Sequence, residues 1–210
     1  MTRRSSAADQ IALFAPEPAL PPGFAYREDV ITVAQERALV ERIAELPFRP
    51  FEFHGYRGNR RVVSFGWRYD YGARAVAAAA PIPPFLLPLR ERAGAIAGLA
   101  PECLEHVLVT EYAEGAGIGW HRDKAEFADV VAISLLAPCT LRFRRKRGTG
   151  WDRTSRQVVP RSAYLLRGPA RHDWEHSIPA LDRLRYSVTF RNLAAAPEST
   201  RREGSSVSRI

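Results

Sequence analysis

Two residues that can bind a metal ion, His121 and Asp123, stand two positions apart in the middle of the chain. On a β-strand or at its extended end, residues with this spacing point to the same side of the backbone. A neutral imidazole and a carboxylate side by side can hold one metal ion, but a third ligand must then come from elsewhere in the sequence. His176 is the best candidate, and the neighbouring pair His172 and Asp173 is the alternative.

Two histidines and one carboxylate on one face leave the remaining coordination positions of a metal ion open. This is the ligand set of non-haem Fe(II) oxygenases. An isolated His-x-Asp pair is weak evidence, because most such pairs are scattered polar groups on a surface strand. The interpretation therefore depends on the residues that accompany it.

The segment 185–191 carries a second polar pattern that bears on the first. In a strand, alternation places four of its side chains on one face: Arg185, Ser187, Thr189 and Arg191. The residues between them are apolar or aromatic and would pack on a core. Arginine binds carboxylates through two parallel hydrogen bonds, so an arginine at each end with hydroxyls between them suits a bound dicarboxylate. The alternative is an outer face in contact with solvent.

The elements that must position these residues are short strands in the second half of the chain. Segments rich in Val, Leu, Ile, Thr and Phe recur there with turn signals between them: 107–112, 130–136, 140–144, 157–160, 163–166 and 184–191. This recurrence favours an antiparallel sandwich or barrel. A jelly roll is attractive among these folds, because its open end gathers side chains from distant strands into one site.

The first half of the chain predicts elements that flank such a core. Apolar spacing predicts an amphipathic helix over 33–46, with Thr32 as its N-cap, and a second helix over 85–99. Short strands are predicted at 24–26 and on either side of a glycine-containing turn within 48–66. We therefore predict a mainly β fold with flanking helices and an N-terminal α/β lid extension.

We expect one folded domain in the 210 residues, divided into four segments. The predicted segments are a flexible lead at 1–22, an N-terminal extension with a substrate lid and supporting helices at 23–100, the jelly-roll core at 101–194 and a disordered tail at 195–210. Two cysteines without C-x-x-C spacing, no secretion signal and no apolar run of about 20 residues favour a reducing cytoplasm and no membrane partner. We expect a monomer.

The net charge of +8 favours polyanionic partners such as nucleic acid, although an arginine-rich composition can equally reflect a GC-rich genome. The most aromatic run, 64–71, offers Trp67, Tyr69 and Tyr71 either to a core or to the face of a nucleobase. The basic run 144–147 is either a solvated hairpin tip or a phosphate contact.

Taken together, these motifs resemble the AlkB family of Fe(II)- and 2-oxoglutarate-dependent dioxygenases over about residues 61–191. The family motif is Asn-x-Tyr, then His-x-Asp nine residues on, a later His, and finally Arg-x-Asn-x-Thr-x-Arg. This chain has Thr110-Glu111-Tyr112, His121-Arg122-Asp123, His176 and Arg185-x-Ser187-x-Thr189-x-Arg191. Thr110 and Ser187 replace the two asparagines of the motif and have a shorter reach.

The resemblance implies a double-stranded β-helix and a role for each of these residues. His121, Asp123 and His176 would bind iron; Tyr112 and Arg185 would hold the distal carboxylate of 2-oxoglutarate, with Thr110 and Ser187 beside it; and Arg191 would lie by the end that chelates iron. Fe(II), 2-oxoglutarate and O2 would together oxidise a C–H bond. An N-methyl group oxidised in this way is lost as formaldehyde, which is direct demethylation.

The resemblance also implies a nucleic-acid substrate. Family members act on alkylated bases in DNA or RNA, on tRNA, and in some branches on protein. A base within a duplex must be flipped out, or be single-stranded already, to reach the iron. The predicted substrate contacts are Trp67, Tyr69 and Tyr71 by stacking, Arg142 to phosphate, and Glu126 near the base. The family often reads the base with an acidic residue two positions beyond the iron aspartate, where this chain has Ala125.

Two alternatives stay open. An enzyme of the same chemistry could act on a protein or a small molecule, and a jelly roll that has lost turnover could serve only as a binding module. The presence of both arginines and all three expected metal ligands argues against the second alternative.

Overall fold

Two antiparallel sheets make up most of the computed structural model, which describes residues 19–53, 56–70 and 75–194. The strands are β1 (Phe24–Arg27), β2 (Arg49–Phe53), β3 (Tyr56–Phe65), β4 (Trp67–Asp70), β5 (Ala75–Ala78), β6 (His106–Tyr112), β7 (Ile118–His121), β8 (Phe127–Leu135), β9 (Cys139–Arg147), β10 (Gly150–Val158), β11 (Ala163–Leu166), β12 (Glu175–Ile178) and β13 (Arg185–Leu193). The helices are α1 (Val33–Ala44), α2 (Leu87–Ala97) and the single turn α3 (Pro169–His172), with 3-10 turns at Pro84–Leu86 and Pro101–Cys103.

The larger sheet has the strand order β1-β11-β8-β13-β6-β3-β2, and the smaller sheet has the order β10-β9-β12-β7. The buried cluster between them takes Val130 and Ala132 from β8 of the larger sheet, and Leu141 and Phe143 from β9 of the smaller one. Strands β4 and β5 form a separate two-stranded hairpin. The predicted mainly β jelly roll with flanking helices is therefore confirmed.

Helices α1 and α2 cover the face of the larger sheet that points away from the smaller sheet. Their residues Ile43 and Leu89 belong to the same buried apolar cluster as Val188 and Phe190 of β13. Both helices were predicted from apolar spacing, and both are present. Burial of this face leaves the interior between the two sheets as the place where polar residues of β13 can meet residues of β12.

The start of α1 is fixed by the residues that the sequence suggested. The hydroxyl of Thr32 accepts a hydrogen bond from the backbone N–H of Gln35, and the Gln35 side chain accepts one from the backbone N–H of Thr32. This reciprocal capping box satisfies two backbone donors that a helix start otherwise leaves unpaired. The predicted N-cap is therefore confirmed.

Alternate side chains of β13 point to opposite sides of the larger sheet. Tyr186, Val188 and Phe190 pack in the cluster under the helices. The four polar residues, Arg185, Ser187, Thr189 and Arg191, are also buried. Because they point to the other side of the sheet, they line the interior between the sheets, and the alternative of an outer face in solvent is wrong.

Some details of the predicted β structure are wrong. Gly58 and Asn59, which the sequence favours as turn residues, lie inside β3, which begins at Tyr56. The predicted strand 157–160 is only the end of β10, which begins at Gly150, and the run 144–147 lies within β9. The end of β9 is four consecutive cations, and β10 has Trp151 and Val158 as its only large apolar residues, so neither stretch shows apolar alternation.

His176 and Arg185 are only nine residues apart, which suggests neighbouring strands, but the two residues lie in different sheets. β12 pairs with β9 and β7 in the smaller sheet, whereas β13 is at the centre of the larger sheet. The two strands meet across the interior. The four residues of β12 include a glutamate, a histidine and a serine, so they gave no strand signal in the sequence.

Parts of the predicted organisation lie outside the described residues. These parts are residues 1–18 of the lead, the tail at 195–210 and Tyr71. The division near residue 100 stays a prediction, and β1, β2 and β3 from the first half join the larger sheet. Within the described part of the chain, no helix is both long and apolar enough to cross a membrane.

Candidate active site

Two histidines face each other where β7 pairs with β12. His121 is the cross-strand partner of His176, and the centroids of the two rings are 4.2 Å apart. Nδ1 of His121 is 2.9 Å from the carbonyl oxygen of Gly119. In a neutral ring this contact places the proton on Nδ1, so Nε2 keeps a lone pair that can bind a metal ion.

Both imidazoles are neutral at physiological pH, because their pKa values are lowered. Burial lowers the pKa of His121, and it lowers the pKa of His176 to about 3. Neutral rings are the form that ligates metals. The predicted alternative ligands, His172 and Asp173, are both exposed. The structure therefore brings His176, and not the pair four residues before it, next to His121.

Asp123 adds a carboxylate to the two rings. Its Oδ2 is buried without a hydrogen-bond partner and is 3.7 Å from Nε2 of His176. Its Oδ1 accepts hydrogen bonds from Nη2 and Nε of Arg191 at 2.7 and 3.1 Å. Burial acts to raise the pKa of Asp123, but the cation of Arg191, with a smaller contribution from Arg171, holds this pKa well below its usual range. The group is therefore an anion with one oxygen free.

The loop that carries Asp123 is fixed by a buried arginine. Arg171 of α3 donates through Nη2 to the carbonyl oxygen of Phe127 at 2.8 Å and to that of Lys124. These two carbonyls lie on either side of the turn between β7 and β8. Arg171 therefore holds the segment that follows Asp123 against α3.

The donor set fits a divalent cation by type, burial and protonation. Two ligand atoms about 2.1 Å from one ion at a right angle are about 3 Å apart, so the 3.7 Å separation must shorten by less than about 1 Å. Among the described residues, no three His, Cys, Asp or Glu side chains already have the spacing of a bound metal ion.

Arg185 is the largest side chain of the described part of the chain that is completely buried. Its Nε donates to Oγ of Ser134 at 3.0 Å, while Nη1 and Nη2 have no hydrogen-bond partner. Its guanidinium carbon lies 5.2 Å from the centre of the ring of Tyr112, which is directly opposite on β6. A buried cation with two unpaired donors is costly in free energy, and these donors match the two oxygens of a carboxylate.

A row of buried hydroxyl groups lies between the two arginines. Ser187 pairs with Thr110 on β6 and with Ser134 on β8, and all three are at most 4 % exposed. Side chains of paired residues stand side by side on one face of a sheet. The strand from Arg185 to Arg191 covers about 20 Å at about 3.3 Å per residue. The interior is therefore lined with donors and acceptors from one guanidinium to the other.

Two residues of the site were not predicted, Ser134 and His106. His106 is buried opposite Arg191, and its Nδ1 is 3.3 Å from Nη1 of Arg191. Burial holds the pKa of His106 well below its usual value, so the neutral ring accepts this hydrogen bond. The available signals were a serine within the apolar run 130–136 and a histidine at the start of an apolar strand.

The predicted substrate residues are spread over three places. Trp67 and Tyr69 lie on β4, and the ring of Tyr69 is 4.6 Å from Nζ of Lys124, the residue that follows Asp123. Glu126 is half-buried in the turn before β8. Arg142 points away from the histidine pair, because it is the cross-strand partner of Ser177 and not of His176.

The comparisons with known proteins agree with this geometry. The family model described as the 2OG-Fe(II) oxygenase superfamily matches residues 25–200. The chain is 28% identical over 197 residues to a protein of Arabidopsis thaliana named alkylated DNA repair protein ALKBH8 homolog, and this match covers 81% of the chain and 55% of the relative. It is also 28% identical over 174 residues to a Xenopus tropicalis protein named tRNA (carboxymethyluridine(34)-5-O)-methyltransferase alkbh8, covering 77% of the chain and 26% of that protein.

Among solved structures, the fold is similar to that of OsALKBH1, with a TM-score of 0.66 and 16% identity. That match covers 84% of the chain and all of the compared structure. The chain thus spans only about half of the Arabidopsis relative and about a quarter of the Xenopus one.

Proposed function

The chain belongs to the 2-oxoglutarate- and Fe(II)-dependent oxygenase superfamily as an AlkB-like member, and on this premise we propose its substrate and its site residues. Membership makes it an oxidoreductase that uses Fe(II), 2-oxoglutarate and O2. The proposed reaction is oxidative demethylation of alkylated nucleobases in single-stranded DNA or RNA. Its products are formaldehyde, succinate and CO2.

We assign the metal ligands to His121, Asp123 and His176. The support is the free, buried Oδ2 of Asp123 beside two neutral imidazoles. Arg191 keeps Asp123 ionised and oriented through its two hydrogen bonds to Oδ1. An ionised carboxylate with a fixed second oxygen is a better ligand than one that rotates freely.

We assign the distal carboxylate of 2-oxoglutarate to Arg185 and Tyr112, with Thr110 and Ser187 lining the path to the metal ligands. The observation that carries the proposed function concerns Arg185, which is buried in the same interior as the histidine pair. Nη1 and Nη2 of its guanidinium have no hydrogen-bond partner. A cation left unpaired there needs an anionic partner from outside the chain. A dicarboxylate that also reaches the metal ion supplies that partner.

In the proposed mechanism the bound Fe(II), 2-oxoglutarate and O2 supply the oxidation of a C–H bond. The chain binds the co-substrate through Arg185 and keeps both histidines deprotonated by burial. The buried apolar residues of the same interior, among them Leu141 and Phe143, would limit the access of water to the reacting atoms. A methyl group on a ring nitrogen would have to lie beside the ion that His121, Asp123 and His176 would hold.

A nucleobase substrate is supported by the surroundings of the site. Tyr69 of β4 lies beside Lys124, the residue that follows Asp123, where a flipped base could stack. Two matched relatives are named as tRNA methyltransferases and one as an alkylated DNA repair protein; of the two kinds of strand, we propose RNA as the first to test. Contacts from Tyr71, Glu126 and Arg142, a monomeric state and a cytoplasmic location stay predictions.

The function is tested by incubating the protein with Fe(II), 2-oxoglutarate and matched RNA and DNA oligonucleotides that carry single N-methylated bases. We expect loss of about 14 mass units, one CH2, from at least one RNA, together with one succinate for each methyl group removed. His176→Ala serves as the inactive control. Unchanged oligonucleotides, with succinate formed only when a peptide or small molecule is added, would redirect the same chemistry to that class of substrate.

A further inference from the structure

The outer face of the smaller sheet carries cations and tryptophans on the side opposite the histidine pair. His176 pairs with Phe143, which is in the buried interior, so the residues on either side of each point outwards. We call this surface the outer face and define it by six residues: Trp120, Arg142, Arg144, Lys146, Trp151 and Arg153. In the register of β9 and β10, Lys146 is opposite Trp151 and Arg144 is opposite Arg153.

Two arginines of the outer face, Arg142 and Arg144, lie against its indole rings. The guanidinium carbon of Arg144 is 4.5 Å from the ring centre of Trp120 and 4.4 Å from that of Trp151. Arg142 lies 5.2 Å from Trp120 and also donates through Nε to Oγ of Ser177 at 3.1 Å. Stacking on aromatic rings fixes the arginine planes without neutralising their charge.

The charge on this face is strongly unbalanced. Across β7, β9, β10 and β12 it has four cations and one carboxylate, Glu175, which binds Nε of Arg144 at 2.6 Å. Lys146 and Arg153 are exposed, as are the polar residues Ser155 and Gln157 further along β10. Such a face repels a basic protein surface and attracts a polyanion.

We propose that the outer face binds the backbone and neighbouring bases of the RNA strand whose target base enters the active site, an inference that rests on the proposed function. β7 is the edge strand of the smaller sheet, and its consecutive residues Trp120 and His121 face the outer and inner sides. A strand that crosses this edge passes from the outer face to the metal ligands. Open sheets that present cations and aromatic rings suit single strands, with bases stacked and phosphates paired.

The charge contribution is tested by fluorescence anisotropy with a single-stranded RNA of about 20 nucleotides over a series of salt concentrations. The double variant Lys146→Glu, Arg153→Glu is expected to weaken binding by at least about tenfold and to reduce the slope of log K against log salt by about two. Arg37→Glu, an exposed residue of α1 on the far side of the larger sheet, is the matched control and is expected to bind like the wild type.

The stacking contribution is tested with Trp151→Ala. This change is expected to weaken RNA binding by about tenfold while leaving the salt slope unchanged, because it removes an aromatic surface and no charge. Thermal unfolding midpoints of all variants establish that they are folded. Equal binding of wild type and the Lys146/Arg153 double variant, or tighter binding of DNA than of RNA with the same sequence, would overturn the proposal.

The proposal and the function on which it rests fail in different ways. A methylated trinucleotide is too short to span from the active site across the outer face. If the wild type demethylates the trinucleotide but binds the long RNA no better than the double variant, the outer face is wrong and the function stands. If the wild type binds the long RNA through this face but demethylates neither substrate, the proposed demethylation of nucleobases is wrong and the proposal about the outer face stands.

Discussion

Replacing His176 by alanine is expected to lower succinate production from 2-oxoglutarate by at least about 100-fold, because it removes one of three proposed metal ligands. His172→Ala is expected to change the rate by less than about twofold. His172 is exposed at the end of α3, whereas the ring of His176 is buried against that of His121. Succinate is measured with saturating Fe(II) and 2-oxoglutarate.

The His176 variant needs a control for folding, since the side chain is buried. His176→Gln keeps most of the volume and a polar tip, so its unfolding midpoint is expected to stay near that of the wild type while its activity falls with that of His176→Ala. A fully active His176→Gln variant, or an inactive His172→Ala variant, would contradict the ligand assignment.

Replacing Arg185 by methionine is expected to separate function from stability. The apparent KM for 2-oxoglutarate should rise by at least about 100-fold, because a buried charged partner of the co-substrate is lost. The free energy of unfolding of the protein without ligands should stay the same or rise by about 1–3 kcal/mol. Arg185 is completely buried with two unpaired donors, and replacing such a charge with an apolar side chain is neutral or stabilising.

The matched control for this change is Arg183→Met, two residues earlier and exposed. It is expected to alter neither the KM nor the free energy of unfolding by more than a small amount. Urea denaturation without ligands gives the stability of each variant. A strongly destabilised Arg185→Met protein that still saturates at the wild-type concentration of 2-oxoglutarate would make Arg185 a structural residue.

The sequence predicts the parts of the site that depend on local geometry. The two-residue spacing of His121, at the end of β7, and Asp123, just beyond it, and the alternation along 185–191 both depend only on local backbone geometry. The structure bears out that alternation, since Arg185 and Arg191 are buried on one side and Phe190 on the other. A capped helix start such as the one at Thr32 is predictable for the same reason.

The remaining parts depend on contacts between distant residues. Ser134 meets Arg185 across 51 positions of sequence, and His106 meets Arg191 across 85. Such contacts follow from the register between β6, β8 and β13, which no short motif encodes. Strand β12 escaped prediction because its sequence, centred on His176, is mostly polar.

The outer face illustrates the same limit. The sequence could propose that Arg142 contacts phosphate, but it could not say on which side of the sheet Arg142 lies. The pairing of Arg142 with Ser177, one residue beyond His176, places it away from the metal ligands. The proposed role of Arg142 is therefore to bind the nucleic-acid strand that leads to the active site, and not to contact the target base.

The central claim is that one interior holds Fe(II) and 2-oxoglutarate together, between the histidine pair and Arg185. It is tested most directly by mixing the protein with Fe(II) and 2-oxoglutarate without oxygen and recording the visible spectrum. We predict a weak charge-transfer band that requires both additions and is lost in His176→Ala and Arg185→Met. Absence of the band in the wild type at saturating concentrations, or its full retention in both variants, would contradict the account.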